Sequence, residues 1–158
     1  MKMTFLLVGK TDLSYLQEGM SLYEERLKRY STYKRIEIPE LKSASSLSKG
    51  EIKEREGELI LRQIKPQDEV VLLDVVGRSQ TSEEFASFLE KRGIYGSKGL
   101  VFVVGGAYGF SDSVYARGNF KLSLSSMTFS HQLVRLLFLE QLYRAFTIIK
   151  GEPYHHGS

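Results

Sequence analysis

Apolar positions along the chain fall into two patterns. Unbroken apolar runs at Met3–Val8, Val70–Leu73 and Leu100–Val104 read as strands covered on both faces, as in a parallel sheet. Leu13, Leu16, Met20, Tyr23, Leu27 and Tyr30 instead recur at three- and four-residue spacing, which predicts an amphipathic helix. Lys34–Ile38 returns to a strand-like pattern ended by Pro39, and the Ser- and Lys-rich stretch Leu41–Lys49 lacks periodicity and predicts a mobile loop. Ile52, Leu59, Ile60, Gln63 and Ile64 predict a second helix that stops before Pro66. Thr81 followed by Glu84 is a capping-box pattern, opening a helix through about Lys91 with Gly93 as its stop signal. Ser111–Arg117 predicts a short helix and Phe120–Leu124 a further strand.

The last element, His131–Lys150, carries apolar residues around most of its circumference, among them Leu133, Leu136, Leu137, Phe138, Leu142 and Phe146. One sheet face cannot cover so much apolar surface, so self-association is expected. Alternating strands and helices predict an α/β fold with a mainly parallel sheet.

A length of 158 residues suits one domain. With 42% hydrophobic and 26% charged residues, the chain is too apolar for disorder. The absence of cysteine excludes disulfide frameworks, thiolate zinc sites and cysteine nucleophiles. His131, His155 and His156 lack ligand spacing and a carboxylate cluster, so no metal is expected. No apolar stretch reaches membrane-spanning length and the N-terminus has no secretory pattern, so the expectation is a cytoplasmic protein with no membrane association. A net charge of +3 leans toward polyanions. Arg26, Lys28 and Arg29, interleaved with Tyr23, Tyr30 and Tyr33, read either as RNA contacts or as a solvated helix face with buried tyrosine rings.

In parallel α/β sheets ligands bind beyond the carboxyl ends of the strands, which singles out the loops after Leu73, Val104 and Leu124. Gly105-Gly106-Ala107-Tyr108-Gly109 lets a backbone approach a ligand closely, yet Ala107 breaks the dinucleotide fingerprint and no acidic residue follows at the expected distance. Ser125-Ser126-Met127-Thr128 offers amides and hydroxyls at a helix N-terminus. No nucleophile elbow occurs, and Asp74 stands alone at its strand end.

The glycine loop at 105–109, the run LSLSSMTFSHQLVR at 122–135, EQLYRAF at 140–146 and the ending GEPYH at 151–155 together resemble the ribosomal RNA large-subunit methyltransferase H family, a pseudouridine N3-methyltransferase group of the SPOUT superfamily. Leu7-Val8-Gly9-Lys10 and Tyr23-Glu24-Glu25-Arg26-Leu27 extend the resemblance over nearly the whole chain. It implies a single SPOUT domain over residues 1–158, a three-layer α/β/α arrangement with a C-terminal trefoil knot over roughly 70–158, and a homodimer. It implies S-adenosylmethionine held by Leu73, Gly106 and Ser125, Ser126, Met127, Thr128, Phe129 and Ser130.

The implied substrate is a pseudouridine of 23S ribosomal RNA on the assembled ribosome. Carried over by position, Arg144 would supply fixed positive charge, Tyr154 would orient the base and His155 would accept a proton. The family commonly has Pro where this chain has Ser130, a change expected to loosen the cofactor loop. A catalytically silent RNA-binding dimer and a transfer-RNA enzyme of the same superfamily are the alternatives.

Overall fold

A computed structural model describes residues 1–95 and 98–156. Five parallel strands form one sheet in the order β2-β1-β4-β3-β5, with β1 Lys2–Val8, β2 Thr32–Ile38, β3 Glu69–Ser79, β4 Leu100–Val104 and β5 Phe120–Ser123. Helices α1 Ser14–Leu27, α2 Lys49–Arg62, α3 Ser82–Tyr95, α4 Asp112–Arg117 and α5 Leu133–Lys150 connect or follow them.

Side-chain alternation along the strands sorts the helices into two layers. Met3, Phe5, Leu7, Val71, Phe102 and Val104 pack with Met20 of α1, Phe85 and Leu89 of α3 and Phe138 and Leu142 of α5. Leu6, Val8, Val70, Leu72, Val101 and Val103 face the other way, against Ile60 of α2 and Val114 of α4. All five residues of β4 are buried, as a central strand covered on both faces requires. The result is the three-layer α/β/α arrangement. Among the described residues no helix is long and apolar enough to cross a membrane.

Three elements depart from the sequence pattern. Gly93 lies inside α3 rather than ending it, because that helix runs on to Tyr95. Strand β3 continues past Leu73 to Ser79, and its pairing with β5 shifts register between Leu73 and Arg78, so that both oppose Leu122. The residues between them form a bulge that pushes Asp74 and Val75 out over the carboxyl edge of the sheet. Gly77 permits this, since a Cβ there would lie 2.8 Å from the Leu122 amide nitrogen. Helix α5 begins at Leu133, and His131 and Gln132 form the turn before it. The Leu41–Lys49 stretch contains a short 3₁₀ turn at Ala44–Ser46, and the Ser48 capping box opens α2.

Candidate functional site

Strands β4, β3 and β5 are neighbours, so the segments leaving their carboxyl ends converge. They enclose a cavity of about 440 Å³, within the usual range for a small-molecule site. Leu73, Gly106, Ser125, Met127, Thr128, Phe129 and Ser130 lie on its wall, and Ser126 does not. The glycine segment closes into a tight turn, in which the Gly109 amide donates to the Gly106 carbonyl at 3.2 Å. Gly109 has φ +85°, a left-handed conformation that favours glycine.

Asp74 and Tyr115 also line the cavity; the sequence marked Asp74 only as a lone strand-end acid and did not reveal Tyr115. Asp74 is not alone: its carboxylate accepts a short hydrogen bond from the Tyr115 hydroxyl and one at 3.2 Å from the Val76 amide. Burial and that carboxylate push the Tyr115 phenol up to about 12, so it remains a donor at neutral pH.

The 125–130 segment is held by its own hydroxyls. Ser125 Oγ accepts from the Met127 amide at 3.0 Å, and Ser130 Oγ accepts from the Leu133 amide at 3.0 Å, satisfying one of the free amides that open α5. This is the physical answer to the missing Pro: Ser130 gives up a fixed φ and gains a capping bond. The His131 imidazole is shifted below its ordinary value by burial and then by Arg135, which keeps it neutral.

Behind the loop, Arg135 is fully buried and donates to the carbonyls of His131, Gly9 and Val8 at 3.0, 3.0 and 2.8 Å and to Thr11 Oγ1 at 2.9 Å. It thereby fastens the start of α5 to the end of β1.

A second cluster forms at the other end of α5. Gly151, at φ +69°, ends the helix, and the Glu152 amide donates back to the Thr147 carbonyl at 2.9 Å. The chain then folds along α5. Tyr30 donates to Glu152 at 2.8 Å, and the Tyr154 ring meets that of Tyr143 edge-on at 4.8 Å. The Arg144 guanidinium lies 4.9 Å from the Tyr154 ring centroid and donates to Glu140 at 2.6 and 2.9 Å. Its remaining arm contacts His155 Nδ1 at 2.9 Å, while His155 Nε2 meets Glu83 at 2.6 Å.

Arginine can only donate, so Nδ1 accepts and the ring proton sits on Nε2, directed at Glu83. Burial and hydrogen bonding push the Tyr154 phenol up to about 12, making it a donor rather than a base at neutral pH. Arg144, Tyr154 and His155 are therefore brought together, and Glu83 and Glu140 join them.

This cluster does not line the first cavity. His155, Glu83, Glu140 and Leu137 line an adjoining cavity of about 800 Å³, and the two cavities share the walls Leu122, Leu124 and Phe129. Among the described residues no group of His, Cys, Asp or Glu is placed to hold a metal ion.

The early basic cluster divides. Lys28 pairs with Glu25 at 2.8 Å and both side chains are largely exposed, the pattern of a solvated face. Arg29 is also exposed. Arg26 turns inward, its guanidinium 5.2 Å from the Tyr143 ring that also touches Tyr154. Tyr23, Tyr30 and Tyr33 pack against the core.

A family model described as "Predicted SPOUT methyltransferase" matches residues 1–155. The chain is 49% identical over 156 residues to a protein of Parabacteroides distasonis named ribosomal RNA large subunit methyltransferase H, covering 99% of each chain. Proteins of the same name from Christiangramia forsetii and Bacteroides thetaiotaomicron show the same 49% identity over 156 residues, again with 99% of each chain covered.

Proposed function

The chain belongs to the SPOUT methyltransferase family, and on that premise we propose that it methylates N3 of a pseudouridine in 23S ribosomal RNA on the assembled ribosome, using S-adenosylmethionine. A ribosomal substrate places the enzyme in the cytoplasm. The observation that carries the reading is the juxtaposition of the two cavities, one walled by backbone turns and apolar side chains, the other lined by His155, Glu83 and Glu140, with Arg144 held off its wall against Glu140 and His155.

The residues present fit the cofactor. Leu73, Val104, Phe110 and Leu122 provide apolar walls for a nucleoside, the Gly106 turn and the 125–130 loop provide close backbone, and Asp74 sets a carboxylate beside a cationic ligand. When bound, S-adenosylmethionine supplies a sulfonium methyl group to a nitrogen nucleophile. The protein's part is to position that nitrogen and to manage its proton, because an imide N–H is largely protonated at neutral pH. Arg144, held as a cation by Glu140, stabilises the N3 anion; His155 receives the proton; Tyr154 presents its ring and a hydroxyl donor to the base.

Gly106→Val is expected to weaken S-adenosylmethionine binding at least 10-fold. A Cβ at Gly106 would meet the Glu56 carboxylate at 2.7 and 2.8 Å and displace that side chain, and the branched valine would then occupy space on the wall of the cavity. Isothermal titration of the folded variant checks this, and unchanged affinity contradicts it.

The enzyme acts as a homodimer. Leu133 and Leu137 keep part of their surface exposed and lie outside the core cluster. They share one stripe of α5 with Glu140 and Arg144, at helical spacings of four, seven and eleven residues. A second copy seated on this stripe would bury them and bring its own loops to the Arg144 cluster. Burying what each leucine still exposes contributes a fraction of the about 1.5–3 kcal/mol of a fully buried leucine, counted twice in a two-fold interface. Light scattering at low micromolar concentration should give twice the 18.0 kDa chain mass. Leu137→Asp should give the monomer and lose methylation; a dimeric Leu137→Asp protein contradicts this placement.

A further inference from the structure

We propose that Glu83 is a positioning residue of the methyl-transfer site, forming with His155 a carboxylate–imidazole pair that aims Nδ1 and stabilises the imidazolium formed when Nδ1 takes the N3 proton. The inference rests on the active-site reading above.

Glu83 lies in the first turn of α3 and His155 72 residues away in the tail, yet Oε1 and Nε2 are 2.6 Å apart. The carboxylate is presented from a fixed element. Thr81 and Glu84 close a reciprocal capping box at 2.9 and 3.0 Å, and Ser82 Oγ donates to Gln141 Oε1 of α5 at 2.8 Å. The groups facing the imidazole are Glu83 from α3 and Arg144 from α5, with Glu140 behind the guanidinium and Tyr154 beside it. The Glu83 carboxyl is held below its ordinary range chiefly by the His155 hydrogen bond.

Because Nε2–H points at Glu83, the only free lone pair on the ring is at Nδ1, which rests against an Arg144 N–H. Transfer of the N3 proton to Nδ1 leaves two N–H groups facing each other. The guanidinium arm is then released from Nδ1 to the new anion, while the imidazolium keeps its ion pair with Glu83. The proton moves from N3 to Nδ1, and the electron pair it leaves on N3 is the nucleophile. A merely structural pair is a weaker account: the Glu83 side chain is 56% exposed, and exposed ion pairs contribute little to stability.

The test is single-turnover methylation of ribosomes, with NMR of the His155 Nε2–H in the full-length protein. Glu83→Ala should lower the rate about 10-fold, remove the downfield Nε2–H signal of a hydrogen bond to a carboxylate, and leave the KM for ribosomes and the cofactor affinity unchanged. Glu83→Gln keeps an acceptor for Nε2–H without the charge, so it should recover part of the rate. If His155→Ala loses activity while Glu83→Ala keeps the original rate and signal, the pair is overturned and the site placement stands. If His155→Ala and Glu83→Ala both keep the original rate, the placement itself is overturned, and the pair with it.

Discussion

Replacing Arg144 by alanine is expected to lower the single-turnover methylation rate on ribosomes by about 100-fold or more, with S-adenosylmethionine affinity unchanged. The guanidinium is bound to Glu140 through two nitrogens, at 2.6 and 2.9 Å, and that pairing raises its already high pKa. It is therefore a permanent, oriented cation, and the fork geometry leaves one arm for a further acceptor. In the resting site that acceptor is His155 Nδ1; in the proposed reaction it is the nitrogen whose negative charge must be stabilised. Alanine removes the charge and also leaves His155 and Tyr154 without their partner. Arg144 is absent from the wall of the 440 Å³ cavity proposed for the cofactor, so binding there should not change. Arg144→Lys keeps a charge but cannot hold Glu140 and a second acceptor in one plane, and should restore only part of the rate. Wild-type turnover by Arg144→Ala would remove this residue from the site.

Arg135→Met is expected to cost about 3–5 kcal/mol of folding stability, although methionine fills much of the same volume. The side chain has no exposed surface, and burial pulls its pKa down against the opposing pull of Glu37, so it is a cation stabilised only by its partners. Those partners are the carbonyls of Val8, Gly9 and His131, the Thr11 hydroxyl and, at 3.7 Å, the Glu37 carboxylate. Methionine offers them no donor, and each unpaired buried carbonyl adds to the loss. Urea unfolding should show a lower midpoint at an unchanged slope. A loss below about 1 kcal/mol would mean that the carbonyls find other donors. His131 follows directly on the 125–130 loop, so weaker cofactor binding should accompany the change.

What could be read from the sequence was whatever depends on neighbours along the chain. Leu100–Val104 shows its burial in its composition, Thr81 and Glu84 show their capping box in their spacing, and the ligand loops follow from strand ends in a parallel sheet. Contacts made across the fold left no local trace. Asp74 looks isolated until the β3 bulge and α4 bring Tyr115 to it across 41 residues. Asp74 and Gly77 flank the exposed Val75 and Val76 in the bulge, so no continuous apolar run marked β3 beyond Leu73. Glu83 reads as an ordinary first-turn acid, and only the returning tail gives it His155. Arg135 carried a signal that could have been used: a cation at a position of α5 flanked by Val134 and Leu136 must be buried with acceptors or turned outward. Gly93 misled because one glycine inside a well-packed helix is a tolerable cost of about 1 kcal/mol. Ser126 was grouped with its neighbours as a continuous segment, whereas the local turn around Ser125 takes it off the wall.

The methylated atom is identified by incubating the protein and labelled S-adenosylmethionine with ribosomes from a strain lacking the enzyme, then mapping the label by nucleotide mass spectrometry. One added methyl group is expected, on N3 of a pseudouridine in 23S ribosomal RNA. Label in transfer RNA, label on another atom, or binding to ribosomes with no label at all would contradict it.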